Sequence, residues 1–116
     1  KIKTNDDIKN AAREFLNRGV KNIIITLGEK GIYFANKNEE YFVEALKLKD
    51  EVVDTTGAGD AFNGAFAVAL ANKHKYKDAL IFANKVAGIS TTRLGAASSM
   101  PTLKEVEEYW LITLLY

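Results

Sequence analysis

Apolar positions change period several times along the chain, and each change marks an element. Behind Thr4 and Asp7, spaced as a capping pair, Ile8, Ala11, Ala12, Phe15 and Leu16 recur at helical spacing until Gly19 supplies a stop. A helix is predicted from about Asn5 to Arg18. Val20-Lys21-Asn22-Ile23-Ile24-Ile25-Thr26-Leu27 is β-branched and mostly apolar, the composition of a strand covered on both faces, as in a parallel sheet. Gly28-Glu29-Lys30-Gly31 then turns into Ile32–Ala35, and Asn36-Lys37-Asn38 turns again into Tyr41-Phe42-Val43, a pair of antiparallel strands at a sheet edge.

The charged stretch from Lys47 to Asp50 reads as a connection into a strand-like run, Glu51-Val52-Val53, which a small-residue turn joins directly to a helix from Ala58 to Ala71. That helix is apolar nearly all round, Asn63 being the main exception, so burial of most of its surface is expected. Lys73, His74 and Lys75 break the pattern. A second helix, from about Lys77 to Thr91, carries Leu80, Ala83, Asn84, Ala87 and Gly88 on one stripe. Arg93 to Pro101 is a small-residue loop, and Thr102 with Glu105 forms a capping box for a last helix through Trp110. Helix, buried strand, hairpin, strand and two helices are the rhythm of an α/β fold. Residues 111–116, Leu-Ile-Thr-Leu-Leu-Tyr, are more apolar than a surface helix should be; packing against another part of the protein and an origin foreign to the natural chain both stand open.

Composition narrows the partners. The 116 residues carry 16 basic and 15 acidic side chains, a net charge of +1, with no basic cluster, so neither nucleic acid nor an anionic membrane is implied. There is no cysteine, hence no disulfide framework or thiolate metal site. The polar N-terminus and the lack of a long apolar run give no secretion signal or membrane span, and a soluble cytoplasmic protein is the expectation. The length allows one core, a domain or part of one. His74, alone in a Lys-rich turn, reads as solvated, and Trp110, Tyr109 and Tyr116 as packing.

Candidate chemistry centres on Asp54-Thr55-Thr56-Gly57-Ala58-Gly59-Asp60, where strand gives way to helix. Two glycines and an alanine leave no bulky side chain over the turn, so an anion can approach N–H groups that a helix start leaves unpaired. Asp60 at the rim suits a base taking a proton from a hydroxyl while the hole takes developing negative charge. A capped helix start with a first-turn acid explains the same residues. The string contains no Gly-Lys-Ser/Thr and no third glycine at dinucleotide spacing, so it is neither of those phosphate motifs. Thr26 to Gly31 stands at the carboxyl end of a predicted central strand, where open α/β sheets bind ligands, though two glycines also make an ordinary turn. Asn84, polar on an otherwise apolar stripe, needs hydrogen-bond partners from the core or from a ligand. The loop from Ser90 to Ser99 offers carbonyls and hydroxyls of the kind hard cations require, or is plain solvated loop.

The string from Asp54 to Gly64, Asp-Thr-Thr-Gly-Ala-Gly-Asp-Ala-Phe-Asn-Gly, closely resembles the signature of the ribokinase-like carbohydrate kinases, the PfkB family. The resemblance extends over almost the whole chain and implies the C-terminal portion of the family fold: a mostly parallel sheet with flanking helices and an antiparallel edge hairpin. It implies ATP-dependent phosphorylation of a sugar hydroxyl, with Asp60 as the base contacting the sugar and Gly57, Ala58, Gly59 and Asp60 as the anion hole. Ribose is the expected sugar, from Asp54–Gly64 and Gly95–Pro101, with fructose or another PfkB substrate as the alternative. Thr26, Gly28 and Gly31 match the family's Thr-x-Gly-x-x-Gly turn around the nucleotide phosphates and ribose, which brings Glu29 and Lys30 into the cofactor set. Phe82-Ala83-Asn84 is similar to the wall of the family's adenine pocket. By the same likeness Asp54, Thr56, Ser90, Arg93, Gly95 and Ser99 fall on ligand positions for a monovalent cation, potassium, with Arg93 limited to its carbonyl. The family's sugar-binding half, lid and magnesium-associated Asn-x-x-Glu motif precede this portion and are not found in residues 1–116. The resemblance thus implies an inactive fragment of a magnesium-dependent, homodimeric kinase, with a non-catalytic nucleotide-binding module as the competing reading.

Overall fold

The structure, a computed structural model, describes residues 1–48 and 50–106. The expected end of the last helix, Tyr109, Trp110 and the 111–116 tail lie outside the described residues. The chain divides into two compact units, Lys1–Ala45 and Leu46–Tyr116.

In the first unit, α1 (Asn5–Asn17) begins with the reciprocal cap its sequence announces. The Asp7 N–H donates to Thr4 Oγ1 at 3.1 Å, while Asp7 Oδ2 accepts the N–H groups of Thr4 and Lys3, each at 2.8 Å. Those bonds, led by the one from Lys3, hold the Asp7 carboxyl below its ordinary range. Three strands follow, β1 (Asn22–Thr26), β2 (Ile32–Asn36) and β3 (Glu40–Val43), in the order β1-β2-β3 with both ladders antiparallel. The register sets Thr26 opposite Ile32, and Ile32 opposite Val43. Asn36 makes the second turn, its Oδ1 accepting the N–H groups of Asn38 and Glu39 at 2.8 and 2.9 Å. Cross-strand aromatic pairs tie β2 to β3: Tyr33 to Phe42 with centroids 4.8 Å apart, and Phe34 to Tyr41 at 5.0 Å. Ile8 and Ala12 of α1 close over Tyr33 and Ala35, with Leu16, Ile23, Ile25 and Leu27 packed against that cluster.

The mixed α/β class and the antiparallel hairpin stand as expected, but the parallel sheet does not appear among the described residues. A parallel neighbour requires a crossover connection, and the three described strands are joined only by short turns. The strand covered on both faces is β2, whose Tyr33 and Phe34 point to opposite faces and are both buried; β1, at the end of the order, is half-buried.

In the second unit, α2 (Ala58–Ala71) and α3 (Tyr76–Ser90) pack together, joined by a turn in which Lys73 adopts a left-handed backbone. Ala61 and Ala69 of α2 and Ala79 and Ala83 of α3 are all buried, small side chains that let two helices pack closely. Val86, Ile89 and Val106 complete this core with Ala61, flanked by Leu46, Ala65, Phe82 and Met100.

Two expectations are corrected here. Only Ala61, Phe62 and Ala69 of α2 are buried, and Val68 is 56% exposed, for α3 and the few residues around Ala61 leave much of its circumference open within this unit. The run Glu51-Val52-Val53 belongs to no ladder among the described residues. Instead the N–H groups of Val53 and Asp54 both donate to the Thr91 carbonyl, at 2.8 and 3.1 Å, which fixes the approach to α2 against the end of α3.

Candidate functional site

The turn before α2 is shaped by three contacts. Asp54 Oδ1 accepts the Thr56 N–H at 2.9 Å, a local turn made by the side chain. Asp54 Oδ2 accepts the Gly95 N–H at 3.1 Å and so ties the turn to the loop that follows α3. The hydrogen bonds from Thr56, side chain first and then backbone, with the one from Gly95, hold the Asp54 carboxyl below its ordinary range. Gly57 then enters the helix with φ +78°, and a Cβ there would stand 3.2 Å from the Ala96 Cβ. A side chain at 57 would therefore crowd the loop, at a residue whose backbone also favours glycine.

Past Gly57 the surface opens. A Cβ placed on Gly59 would meet nothing within 4 Å. Helix geometry leaves the first N–H groups of α2 without intrahelical acceptors, and Ala58, whose N–H turns back to the Thr55 carbonyl at 3.2 Å, is excused from that set. Gly59 and Asp60 thus have N–H groups without intrahelical acceptors at the positive end of the helix dipole, and the side of the turn at Gly59 is open. Asp60 lies in that first turn with an exposed side chain.

The loop after α3 is stiffened from within. The hydroxyls of Ser90 and Ser99, both fully buried, donate to the carbonyls of Ala87 and Ala96 at 2.7 and 2.6 Å. The Arg93 guanidinium reaches Glu105, with Nη2 to Oε1 at 3.0 Å and Nη1 to Oε2 at 3.4 Å. Glu105 also closes the cap of the helical residues 103–106, its Oε2 accepting the Thr102 N–H at 2.7 Å. That backbone bond, then the Arg93 side chain, lowers the Glu105 carboxyl.

Of the residues singled out as cation ligands, Asp54, Thr56 and Gly95 are brought together, Arg93 anchors the same loop, and Ser90 and Ser99 brace its two ends. Asn84 sits half-buried on α3 and is engaged within the protein. Its neighbour Lys85, which the sequence did not single out, has its ammonium pushed down to about 8 by burial. His74 is exposed, as its Lys-rich surroundings suggest.

Thr26 to Gly31 belongs to the first unit. Leu27 and Gly31 close the turn by an N–H to carbonyl bond of 2.8 Å, with Gly28–Lys30 forming a single 3-10 turn between them. Gly31 is dictated by the fold, since its φ is +96° and a Cβ would run into the Val43 carbonyl. Gly28, also left-handed at φ +59°, faces open space, and Glu29 and Lys30 are exposed beside it.

Comparison with known proteins decides the lineage of this arrangement. The family profile described as pfkB family carbohydrate kinase matches residues 1–103. The chain belongs to the PfkB family of carbohydrate kinases. The ribokinase of Staphylococcus aureus is 39% identical over 109 residues, a match covering 93% of this chain and 35% of that protein. The ribokinase of Arabidopsis thaliana, solved with ribose and ATP, superposes with a TM-score of 0.87 at 34% identity, covering 92% of this chain and 34% of that one. An Escherichia coli protein solved with ATP and Mg2+ gives 0.83 at 33% identity, covering 90% and 33%. The chain therefore spans about a third of the length of the relatives it matches. Among the described residues no helix is long and apolar enough to cross a membrane.

Proposed function

We propose that this chain is the part of an ATP-dependent sugar kinase that supplies the catalytic base and the anion hole. One observation carries the reading: Asp60 stands exposed in the first turn of α2, one position beyond a glycine over which there is open space. In the complete protein Asp60 takes the proton from a primary hydroxyl of the sugar as that oxygen attacks the γ-phosphorus of ATP. The N–H groups of Gly57, Gly59 and Asp60 receive the charge that spreads over the transferring phosphoryl oxygens, the largest contribution a protein makes to such a transfer. By the family resemblance Thr26, Gly28, Glu29, Lys30 and Gly31 are assigned to the nucleotide phosphates and ribose, and Asn84 to the adenine. Ribose is the preferred sugar, supported by the names of the relatives; fructose is the alternative.

Of the two ions the family implies, the residues present fit only the monovalent one. A potassium ion would find hydroxyls at Ser90 and Ser99 whose protons are already committed to carbonyls, leaving lone pairs as ligands. Bound there it would add fixed positive charge beside the anion hole. Magnesium, which would neutralise phosphate charge when bound, is assigned no residue in this chain.

The test is Asp60→Asn in the full-length protein. Asparagine keeps the size and part of the capping while removing the base, so turnover is expected to fall by about 10²–10⁴ with nucleotide affinity little changed. Turnover within a small factor of wild type would refute the assignment and leave a nucleotide-binding module as the better reading.

A further inference from the structure

The loop between α3 and the helical residues 103–106 is held from both sides by carboxylates, and neither belongs to the reacting groups. On one side Asp54 takes the Gly95 N–H. On the other, two positions earlier, Arg93 is gripped by both oxygens of Glu105, twelve residues away in sequence. Glu105 is itself immobilised, because its Oε2 accepts the Thr102 N–H at 2.7 Å and its own N–H donates to Thr102 Oγ1 at 3.3 Å. The fork of Arg93 is therefore docked on a carboxylate that cannot swing away. The two holds fall at Arg93 and at Gly95, whose φ is +90°, and directly after them comes Ala96, which a Cβ on Gly57 would crowd at 3.2 Å. The links form an unbroken series: Thr102 cap, Glu105, Arg93, Gly95, Asp54, Thr56, then Gly57 and the first turn of α2.

We propose that Arg93 and Glu105 are a positioning pair for phosphoryl transfer, setting the loop against which the anion hole is built. This rests on the assignment of Gly57–Asp60 as that hole. The pair is partly exposed, with side chains 34% and 41% accessible, and an ion pair of that exposure adds little to global stability. Its effect is local. Without it the Gly95 tie to Asp54 remains, but the segment that enters this tie from α3 loses its anchor at Arg93, so Gly95, Ala96 and the turn at Gly57 gain freedom. A displacement of about 1 Å at a catalytic group costs up to 10²-fold in rate, so a weak contact can have a large kinetic consequence. ADP, which lacks the transferring phosphate, should bind almost as before.

The experiment uses the full-length protein with Arg93→Met, Arg93→Lys, Glu105→Gln and the double variant Arg93→Met/Glu105→Gln. Glutamine at 105 preserves the capping box, since either Glu or Gln fills it, while removing the charge that Arg93 grips. Methionine at 93 keeps most of the apolar stem. Three quantities are read: kcat with saturating ATP and sugar, ADP affinity by titration calorimetry, and Tm. The expected result is a fall in kcat of about tenfold for Arg93→Met and less for Glu105→Gln, with the double variant no worse than Arg93→Met because one unit is broken in each. ADP affinity should stay within about threefold, and Arg93→Lys should recover part of the rate, a single ammonium replacing the fork. Variants with lowered Tm and unaltered kcat would show a purely structural pair and overturn the proposal, as would effects of the two single substitutions that multiply. If Arg93→Met does not fold, Arg93→Lys and Glu105→Gln carry the same comparison. Asp60→Asn, run in parallel, separates the levels: full activity there refutes the site itself, whereas its loss beside normal Arg93 variants refutes only the pair.

Discussion

An alanine at position 59 sets the requirements of the fold against those of the anion. Gly59 lies inside α2 with ordinary helical backbone angles, and an added Cβ would touch nothing within 4 Å among the described residues. Glycine in a helix is up to about 1 kcal/mol less favourable than alanine, so Gly59→Ala should leave the full-length protein as stable as before or more so by up to that amount. The same Cβ would stand beside the N–H groups of Gly59 and Asp60, at the open side of the turn. Losing one such donor costs about 10²–10³ in kcat, and a methyl group that keeps the phosphoryl oxygens off the helix start should cost about 10²-fold or more.

Gly57→Ala is the control. There φ is +78° and the new Cβ would press on Ala96 at 3.2 Å, so a left-handed penalty of about 1–2 kcal/mol joins a contact that must yield. That variant should lose stability and activity together, whereas Gly59→Ala should lose activity alone. Steady-state kinetics and thermal melts of both variants decide the matter. Gly59→Ala with activity within a factor of about three of wild type would mean that no anion approaches the start of α2, and the anion hole would have to be abandoned.

Three further outcomes are expected. Phosphorylation by the complete enzyme should rise with potassium over sodium or choline at constant ionic strength, and indifference to the cation would remove Asp54, Thr56 and Ser90–Ser99 from the ligand set. The Tyr33 phenol is pushed up to about 12 by burial and by its bond to Glu40, so its neutral form belongs to the fold; stability is fully present below pH 10 and is lost as pH rises toward 12. Denaturant titrations across that range should show the loss in wild type and a shallower one in Tyr33→Phe, equal slopes refuting the assignment. Finally, the 116-residue chain by itself should phosphorylate no sugar, because holding a hydroxyl in line with the phosphorus at about 3–3.5 Å needs a sugar site that the resemblance places elsewhere in the family. Sugar phosphate formed from labelled ATP above an Asp60→Asn control would reveal such a site within this chain.

What the sequence disclosed and what it hid follow from the range of the interactions involved. The Thr4–Asp7 box, the turn at Asn36 and the start of α2 at Ala58 are set by bonds spanning four residues or fewer, so residue type and spacing contain them. The three isoleucines of β1 are a different case. Their composition states that burial is tolerated, not which partner supplies it, and the strand buried on both faces proved to be its neighbour β2. The apolar circumference of α2 misled in the same way, for a run of alanine, valine and leucine does not say how many faces have something to lie against.

The site shows the same division within a single turn. Gly57 and Gly59 look equivalent in sequence, yet one is demanded by the fold and the other only by whatever approaches from outside, because the residue that crowds Gly57 is Ala96. Asp54 meets Gly95 across 41 positions, a separation no periodicity can encode. Glu105 was legible as a cap because Thr102 is three residues away, but its second task, gripping Arg93, depends on α3 ending where it does and the loop turning back. A carboxylate that serves one local and one distant partner is half visible from sequence. The distant half bears on the reaction, since it determines how firmly the loop under Gly57 is held while charge moves onto the phosphoryl oxygens.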